Sequence, residues 1–349
     1  MDMNFKKGSH LVLSFLMYCC LLPLASLQAE DFYHGKTVKI IVGSSTGGGY
    51  DAYARLIARH MSKYIPGEPT MVVLNMPGAD GIIAANHIDN LAERDGTVFG
   101  TFNRYVVLLK LLGSQQAKFD PAKFNWIGTT ASYSDNAYLL VIRSALPHKT
   151  IEDMRNPQMQ LHMGNVGTDV PAILKEALNL NLKLVSGYKG SDDLELAFTR
   201  GEVDGHTSGW SSILSRHDDW IKTQFIRPMI QFGRINRLPS LPDVPTAREL
   251  AKTPEDLSLI EFAELPLLIA RPFAAPPGIP SDRLEILRQA FMKTVFDPGY
   301  LEEANRQKLE LTPKDGVEVT KLVQDITRAQ PSVLERYKKA LDGKMPTGG

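Results

Sequence analysis

The stretch Thr37-Val38-Lys39-Ile40-Ile41-Val42-Gly43-Ser44-Ser45-Thr46-Gly47-Gly48-Gly49-Tyr50-Asp51 decides how this chain reads. Thr37 to Gly43 is a β-branched apolar run, the pattern of a buried strand, and it empties into three hydroxyl residues and three glycines. Beyond them Ala52, Leu56, Ile57 and Met61 recur at helical spacing, with Arg55, Arg59 and Lys63 off that stripe, until Pro66 and Gly67 stop the segment. The unit is strand, glycine loop, amphipathic helix.

Consecutive glycines between a strand and a helix let backbone N–H groups converge on one concavity, where an anion binds. The helix dipole adds positive potential, and Ser44, Ser45 and Thr46 add hydroxyl donors to Gly47, Gly48 and Gly49. The competing reading is a tight βα turn in which Asp51 only caps the helix. A nucleotide site does not fit: neither G-x-G-x-x-G nor a Walker loop is present, and Gly35-Lys36-Thr37 precedes the strand instead of following it.

Outward from this unit the pattern repeats. Met71 to Leu74 reads as a strand, Pro77 to Gly81 as a turn, Ile82 to Leu91 as a helix and Thr97 to Phe102 as a third strand. Further strands are expected at Tyr138 to Ile142, Leu161 to Gly164, Leu182 to Val185 and Phe225 to Phe232, with helices near Pro171 to Leu180 and Asp192 to Arg200. Successive βα units give an α/β fold with parallel sheets covered by helices. A second glycine turn, Gly164 to Asp169, again joins a strand to a helix, so two helix N-termini can grip the two ends of a dicarboxylate. Leu238 to Pro245, Pro266 to Pro280 and the neighbourhood of Ser134 are the expected hinge crossings, and Ser281 through Tyr337 reads as mostly helical with Ser281 as an N-cap.

The amino terminus has Lys6 and Lys7, an apolar run from Leu11 to Leu24, and small or polar residues up to Ala29. That order reads as a cleavable signal peptide over 1–29, implying export to the periplasm, with an uncleaved anchor the weaker reading because a membrane span needs about 20 apolar residues. Cys19 and Cys20 are the only cysteines and fall inside it, so thiol chemistry is excluded from the processed chain. Roughly 320 residues then remain, enough for two lobes. Lysine plus arginine and aspartate plus glutamate both number 39, which leaves no global field to recruit nucleic acid. His34, His60, His87, His148, His162, His206 and His217 are scattered without H-E-x-x-H, and no G-x-S-x-G occurs, so neither a metal, a cofactor nor a catalytic nucleophile is expected.

The motifs V-K-I-I-V-G-S-S-T-G-G-G-Y-D and N-M-P-G-A-D-G together resemble the tripartite tricarboxylate transporter substrate-binding family, the Bug receptors. The glycine turn at Gly164, Tyr188-Lys189-Gly190, Gly201 to Asp204, Leu241 to Pro245 and Ala275 to Gly278 extend the likeness over nearly the whole chain. The resemblance implies a two-lobed periplasmic solute-binding protein, each lobe a central sheet flanked by helices. It would be a monomer without cofactor that captures a small organic carboxylate by hinge closure and passes it to the permease subunits of a tripartite transporter. The lobes would be 30–137 plus 268–349, and 138–267. By that resemblance Ser44, Ser45, Thr46, Gly47, Gly48, Gly49 and Asp51 hold one carboxylate, and Asn165, Gly167, Thr168 and Asp169 lie across the cleft. Tyr188 and Lys189 line the second lobe, and Thr101 and Asn103 follow the third strand.

The chain departs from the family at points that bear on the ligand. Ser45 and Thr46 stand where proline usually precedes a glycine pair, and Asp80 replaces a glycine, as a charge at the mouth or a solvated surface residue. Ser208 takes the place of an aspartate found in many relatives, and Trp210 is either a stacking platform or a core residue. The alternatives to a transport receptor are a periplasmic enzyme acting on a carboxylate, using Asp204 or His206, and a receptor serving a sensor kinase.

Overall fold

The computed structural model describes residues 32–133, 136–165, 169–188 and 191–342, without the side chains of Asp80 and Ser215. The expected leader, Ser134, Gly167, Thr168 and Lys189 therefore lie outside the described residues. Among those described, no helix is long and apolar enough to cross a membrane.

The opening unit forms as its pattern dictates: β1 (Thr37–Val42), α1 (Gly49–Met61), β2 (Thr70–Asn75), α2 (Ile82–Asn90) and β3 (Val98–Thr101). Of the expected α1 stripe Leu56, Ile57 and Met61 are fully buried and Ala52 half-buried, with Ala54 joining the buried face, while β1 pairs in parallel with both β2 and β3. A short fully buried helix, α3 (Val106–Leu109), precedes β4 (Asn125–Thr129).

The second lobe runs β5 (Tyr138–Arg143), α4 (Ile151–Arg155), β6 (Leu161–Gly164), α5 (Val170–Leu178), β7 (Leu182–Val185), α6 (Ser191–Arg200), β8 (Gly205–Gly209), α7 (Trp210–Arg216), α8 (Asp218–Lys222) and β9 (Ile226–Phe232). Then come α9 (Ala247–Leu250), α10 (Pro254–Glu264), β10 (Pro272–Ala275), α11 (Ser281–Val295), α12 (Pro298–Arg306), β11 (Lys314–Asp315), α13 (Gly316–Thr327) and α14 (Pro331–Ala340).

Two sheets result, ordered β11-β4-β10-β3-β1-β2 and β7-β6-β8-β5-β9. β10 returns late in the chain to pair antiparallel with β3 and β4, which completes the first sheet with residues far away in sequence. Helices α11 and α13 pack on β4, closing that lobe's core.

β4 leaves the first sheet at Thr129 and β5 opens the second at Tyr138, and the chain returns to the first sheet at Pro272 in β10, past the 265–271 segment. Tyr133 N–H donates to the Leu267 carbonyl at 3.0 Å, so the two crossings run side by side. Gly233 ends β9 against both with φ +84, where a side chain would crowd Leu267 and Tyr133.

The third expected crossing, Leu238 to Pro245, is not one. Gln231 Nε2 on β9 donates to the carbonyls of Leu241 and Val244, and Gln231 Oε1 accepts from Leu238 N–H, which ties the segment along the second lobe. Its prolines shape a surface loop. Ser281 is the first residue of α11, with Pro280 at the cap position and no side-chain cap bond. The last helix, expected with the first lobe, packs on α5 and α10 of the second. Arg336 bridges Glu176 and Asp256, and Tyr337 sits edge-on to Phe262 with ring centroids 5.1 Å apart.

Candidate functional site

The C-terminal ends of β1 and β3 share one edge, and Gly43 N–H donates to Thr101 O across it at 2.9 Å. In open α/β sheets that edge is where ligands bind. A Cβ on Gly43 would lie 2.9 Å from the Gly81 backbone, so the two βα loops touch only because glycine is there. Gly47 takes the left-handed conformation at φ +85, and Gly48 holds the N-cap position of α1 with no side chain capping the helix. Ser45, Thr46, Gly47 and Gly49 are exposed.

Asp51 has a different task from the one the resemblance gave it. Its carboxylate accepts from Gly47 N–H (2.8 Å), Arg55 Nε (2.9 Å) and Asn75 Nδ2 (2.8 Å), and Asn75 also donates to Ser44 O. Burial works to raise its pKa, but these hydrogen bonds prevail and hold it below the ordinary value. Asp51 therefore fixes the shape of the loop with all its oxygens committed. The hydroxyls of Ser44 and Thr101, by contrast, are buried and have no hydrogen-bond partner. Asn103 Oδ1 accepts from Tyr105 N–H at 3.0 Å.

Two arginines border this ledge. Arg104, one residue past Asn103, donates its backbone N–H to the Tyr50 hydroxyl at 3.0 Å, and its guanidinium lies 4.8 Å from the Tyr105 ring centroid and 6.0 Å from that of Tyr133. Arg271 precedes β10; the pairings Phe273 with Thr101 and Pro272 with Thr129 bring it beyond the ends of β3 and β4. Its guanidinium sits 4.7 Å from the Tyr50 ring centroid and 5.6 Å from that of Tyr53. A Cβ on Gly49 would lie 3.4 Å from Arg271 Nη2, so this cation abuts the uncapped end of α1.

The second lobe presents the matching edge. Gly164 ends β6, Gly209 ends β8, and Tyr138, first in β5, pairs with Gly209 and with Phe232. Asp169 at this edge is fully buried and accepts from the Tyr105 hydroxyl at 2.5 Å and the Tyr337 hydroxyl at 2.6 Å. Burial pushes its carboxyl above the ordinary range, against the pull of both hydroxyls and of the Arg104 charge. Since Tyr105 belongs to the first lobe, the two carboxyl edges face one another, joined by Asp169.

The family model described as "Tripartite tricarboxylate transporter family receptor" matches residues 53–338. The chain belongs to that family. This receptor is 22% identical over 333 residues to the "UPF0065 protein in gbd 5'region" of Cupriavidus necator, covering 90% of this chain and 92% of the relative. A second UPF0065 protein, from Agrobacterium vitis, is 26% identical over 296 residues, covering 82% of this chain and 79% of that one. In fold the receptor is similar to a TctC solute binding protein from Polaromonas, with TM-score 0.68 and 18% identity over 89% of this chain and all of that one (100%). MatC from Rhodopseudomonas palustris, solved with bound malate, matches with TM-score 0.56 and 21% identity over 85% of this chain and 99% of that one. Another R. palustris protein, solved with adipate, gives 0.59 and 20% over 88% and 97%. The architecture is that of the two-lobed periplasmic binding proteins.

Of the receptor's residues singled out from sequence, Ser44 to Gly49, Thr101 and Asn103 come together on the first lobe. Asn165 and Ser208 are half-buried on the second. Trp210 is buried in that lobe's apolar core, and Tyr188 packs against the same cluster. The groups an enzyme reading relied on are committed elsewhere: Asp204 pairs with Arg143 and His162, and the His206 ring lies against Phe198 and Trp220. Sequence reading passed over Arg104, Arg271, Tyr50 and Tyr133. A single arginine after a strand carries no local pattern, and Arg271 stood in a proline-rich stretch read only as a connection.

Proposed function

We propose that this chain is a periplasmic receptor that captures a small organic carboxylate between its lobes and delivers it to the membrane subunits of a tripartite transporter. The observation that carries the reading is the uncapped N-terminus of α1, which lies beside the buried, unpartnered hydroxyls of Ser44 and Thr101. Helix N–H groups and free hydroxyls are donors without acceptors, and a carboxylate supplies the acceptors. Malate and adipate in two relatives of the same fold agree with that chemistry. Ser44 to Gly49, Thr101 and Asn103 receive the carboxylate, and Asn165 and Ser208 approach it from the second lobe.

Binding acts by stabilising the closed arrangement of the lobes, which the permease then recognises, and no covalent step is needed. The leader over 1–29 directs the chain to the periplasm, where it works as a monomer. A panel of mono-, di- and aromatic carboxylates tests the proposal by thermal shift and calorimetry. At least one should raise the melting temperature with saturable heat. A flat response across the panel refutes the receptor reading.

A further inference from the structure

We propose that Arg104 and Arg271 form a dicationic subsite at the end of α1, so that the ligand this receptor selects carries at least two negative charges. The inference rests on the receptor reading above and names its ligand class. Arg104 is only 4% exposed, yet its guanidinium makes no hydrogen bond and pairs with no carboxylate among the described residues, and its Nε is buried without a partner. Arg271 has one side-chain bond, from Nη1 to its neighbour's carbonyl, Ala270 O, and its Nε is likewise buried and unpartnered. Tyr50 touches both residues, its ring under the Arg271 guanidinium and its hydroxyl on the Arg104 backbone, and the Arg104 charge works against that of Arg271.

Three other partly buried arginines meet carboxylates, whereas Arg227 and Arg288 are held by backbone carbonyls. Arg143 meets Asp204, Arg248 meets Glu264, and Arg336 meets Glu176 and Asp256. A buried cation without a counterion is strongly unfavourable, and two side by side are worse. Asp169 feels the Arg104 charge but forms no ion pair with either guanidinium, because its two oxygens accept from the Tyr105 and Tyr337 hydroxyls. The missing counter-charge comes from outside the chain. A monocarboxylate leaves one guanidinium unpaired; a dianion satisfies both, with the α1 dipole adding to the attraction. The facing tyrosine rings hold the guanidinium planes in place, so little ordering is needed when the anion arrives.

Calorimetry at fixed ionic strength, comparing adipate and succinate with their monomethyl esters, tests the subsite in the wild type, Arg104→Gln and Arg271→Gln. The diacids should bind at least about tenfold more tightly than the monoesters, and each substitution should collapse that preference. Without ligand, both variants should melt at or above the wild-type temperature, because an uncompensated buried charge has been removed. Equal affinity for diacid and monoester, a preference that survives both substitutions, or variants that melt lower without ligand would overturn the proposal. If no carboxylate binds, the receptor reading fails, and inorganic phosphate then decides the subsite. A phosphate-induced rise in melting temperature, seen in the wild type and lost in both variants, sustains it; no rise removes it.

Discussion

Replacing His206 with phenylalanine should flatten the acid limb of this protein's stability. His206 lies on β8, only 2% exposed, with its ring centroid 4.7 Å from that of Phe198 and 6.0 Å from that of Trp220, and with Nε2 unpartnered. Burial, helped by the charges of His217 and Arg216, holds its pKa down to about 4 from the ordinary 6.5. Between those values the unfolded chain binds a proton that the native state refuses. The stabilisation is therefore complete above pH 6.5 and is lost as the pH falls toward 4. At about 1.4 kcal/mol per pH unit, the loss over that window is about 3 kcal/mol from this one side chain. Urea denaturation from pH 4 to pH 6.5 measures it. The wild-type stability should rise with pH more steeply than that of His206→Phe, by about 1.4 kcal/mol per pH unit. Any constant offset from the altered packing leaves the slope difference intact. Parallel curves would refute the reasoning, because they would mean that His206 takes up its proton in the folded state as easily as in the unfolded chain.

Two further substitutions separate the loop's chemistry from its scaffold. Gly48→Ala keeps an ordinary backbone (φ −72) but sets a methyl 3.3 Å from Ser45 O and 3.5 Å from Ser44 Oγ, inside the proposed carboxylate nest. The protein should still fold and melt cooperatively, while carboxylate affinity falls by about tenfold or more; undiminished binding would put the anion elsewhere. Tyr337→Phe removes one of the two hydroxyls on buried Asp169 and should cost about 1–3 kcal/mol in chemical denaturation. An unaltered midpoint would show that Asp169 does not need its clasp.

Local pattern was enough to reveal β1, α1, β2, α2 and β3, together with the β6, α5, β7 and α6 run, because β-branched runs and helical periodicity are written in neighbouring residues. The same locality made the glycine loop from Ser44 to Gly49 legible, since its geometry needs only adjacent glycines before a helix. β8 was not legible, although it is the middle strand of its sheet. Its sequence, Gly-His-Thr-Ser-Gly, has no apolar run, because a side chain at Gly205 would collide with Val141 O and Met163, and one at Gly209 would crowd Tyr133. Close packing against distant residues selected those glycines, and distance along the chain hides that reason.

By itself the sequence determined the βα units, the two-lobe plan with its family, and one glycine loop at the start of a helix. Tertiary structure decided what each charge meets. Asp51, Asp169, Arg104 and Arg271 look alike as isolated ionic residues in the sequence. Only the folded chain gives Asp51 three donors and Asp169 two hydroxyls, and inserts β10 beside β3 so that Arg271 stands near Arg104 with no carboxylate among the described residues paired to either. A strand or helix is specified by residues next to one another. A charge is specified by what surrounds it in space, and here those surroundings come from both lobes.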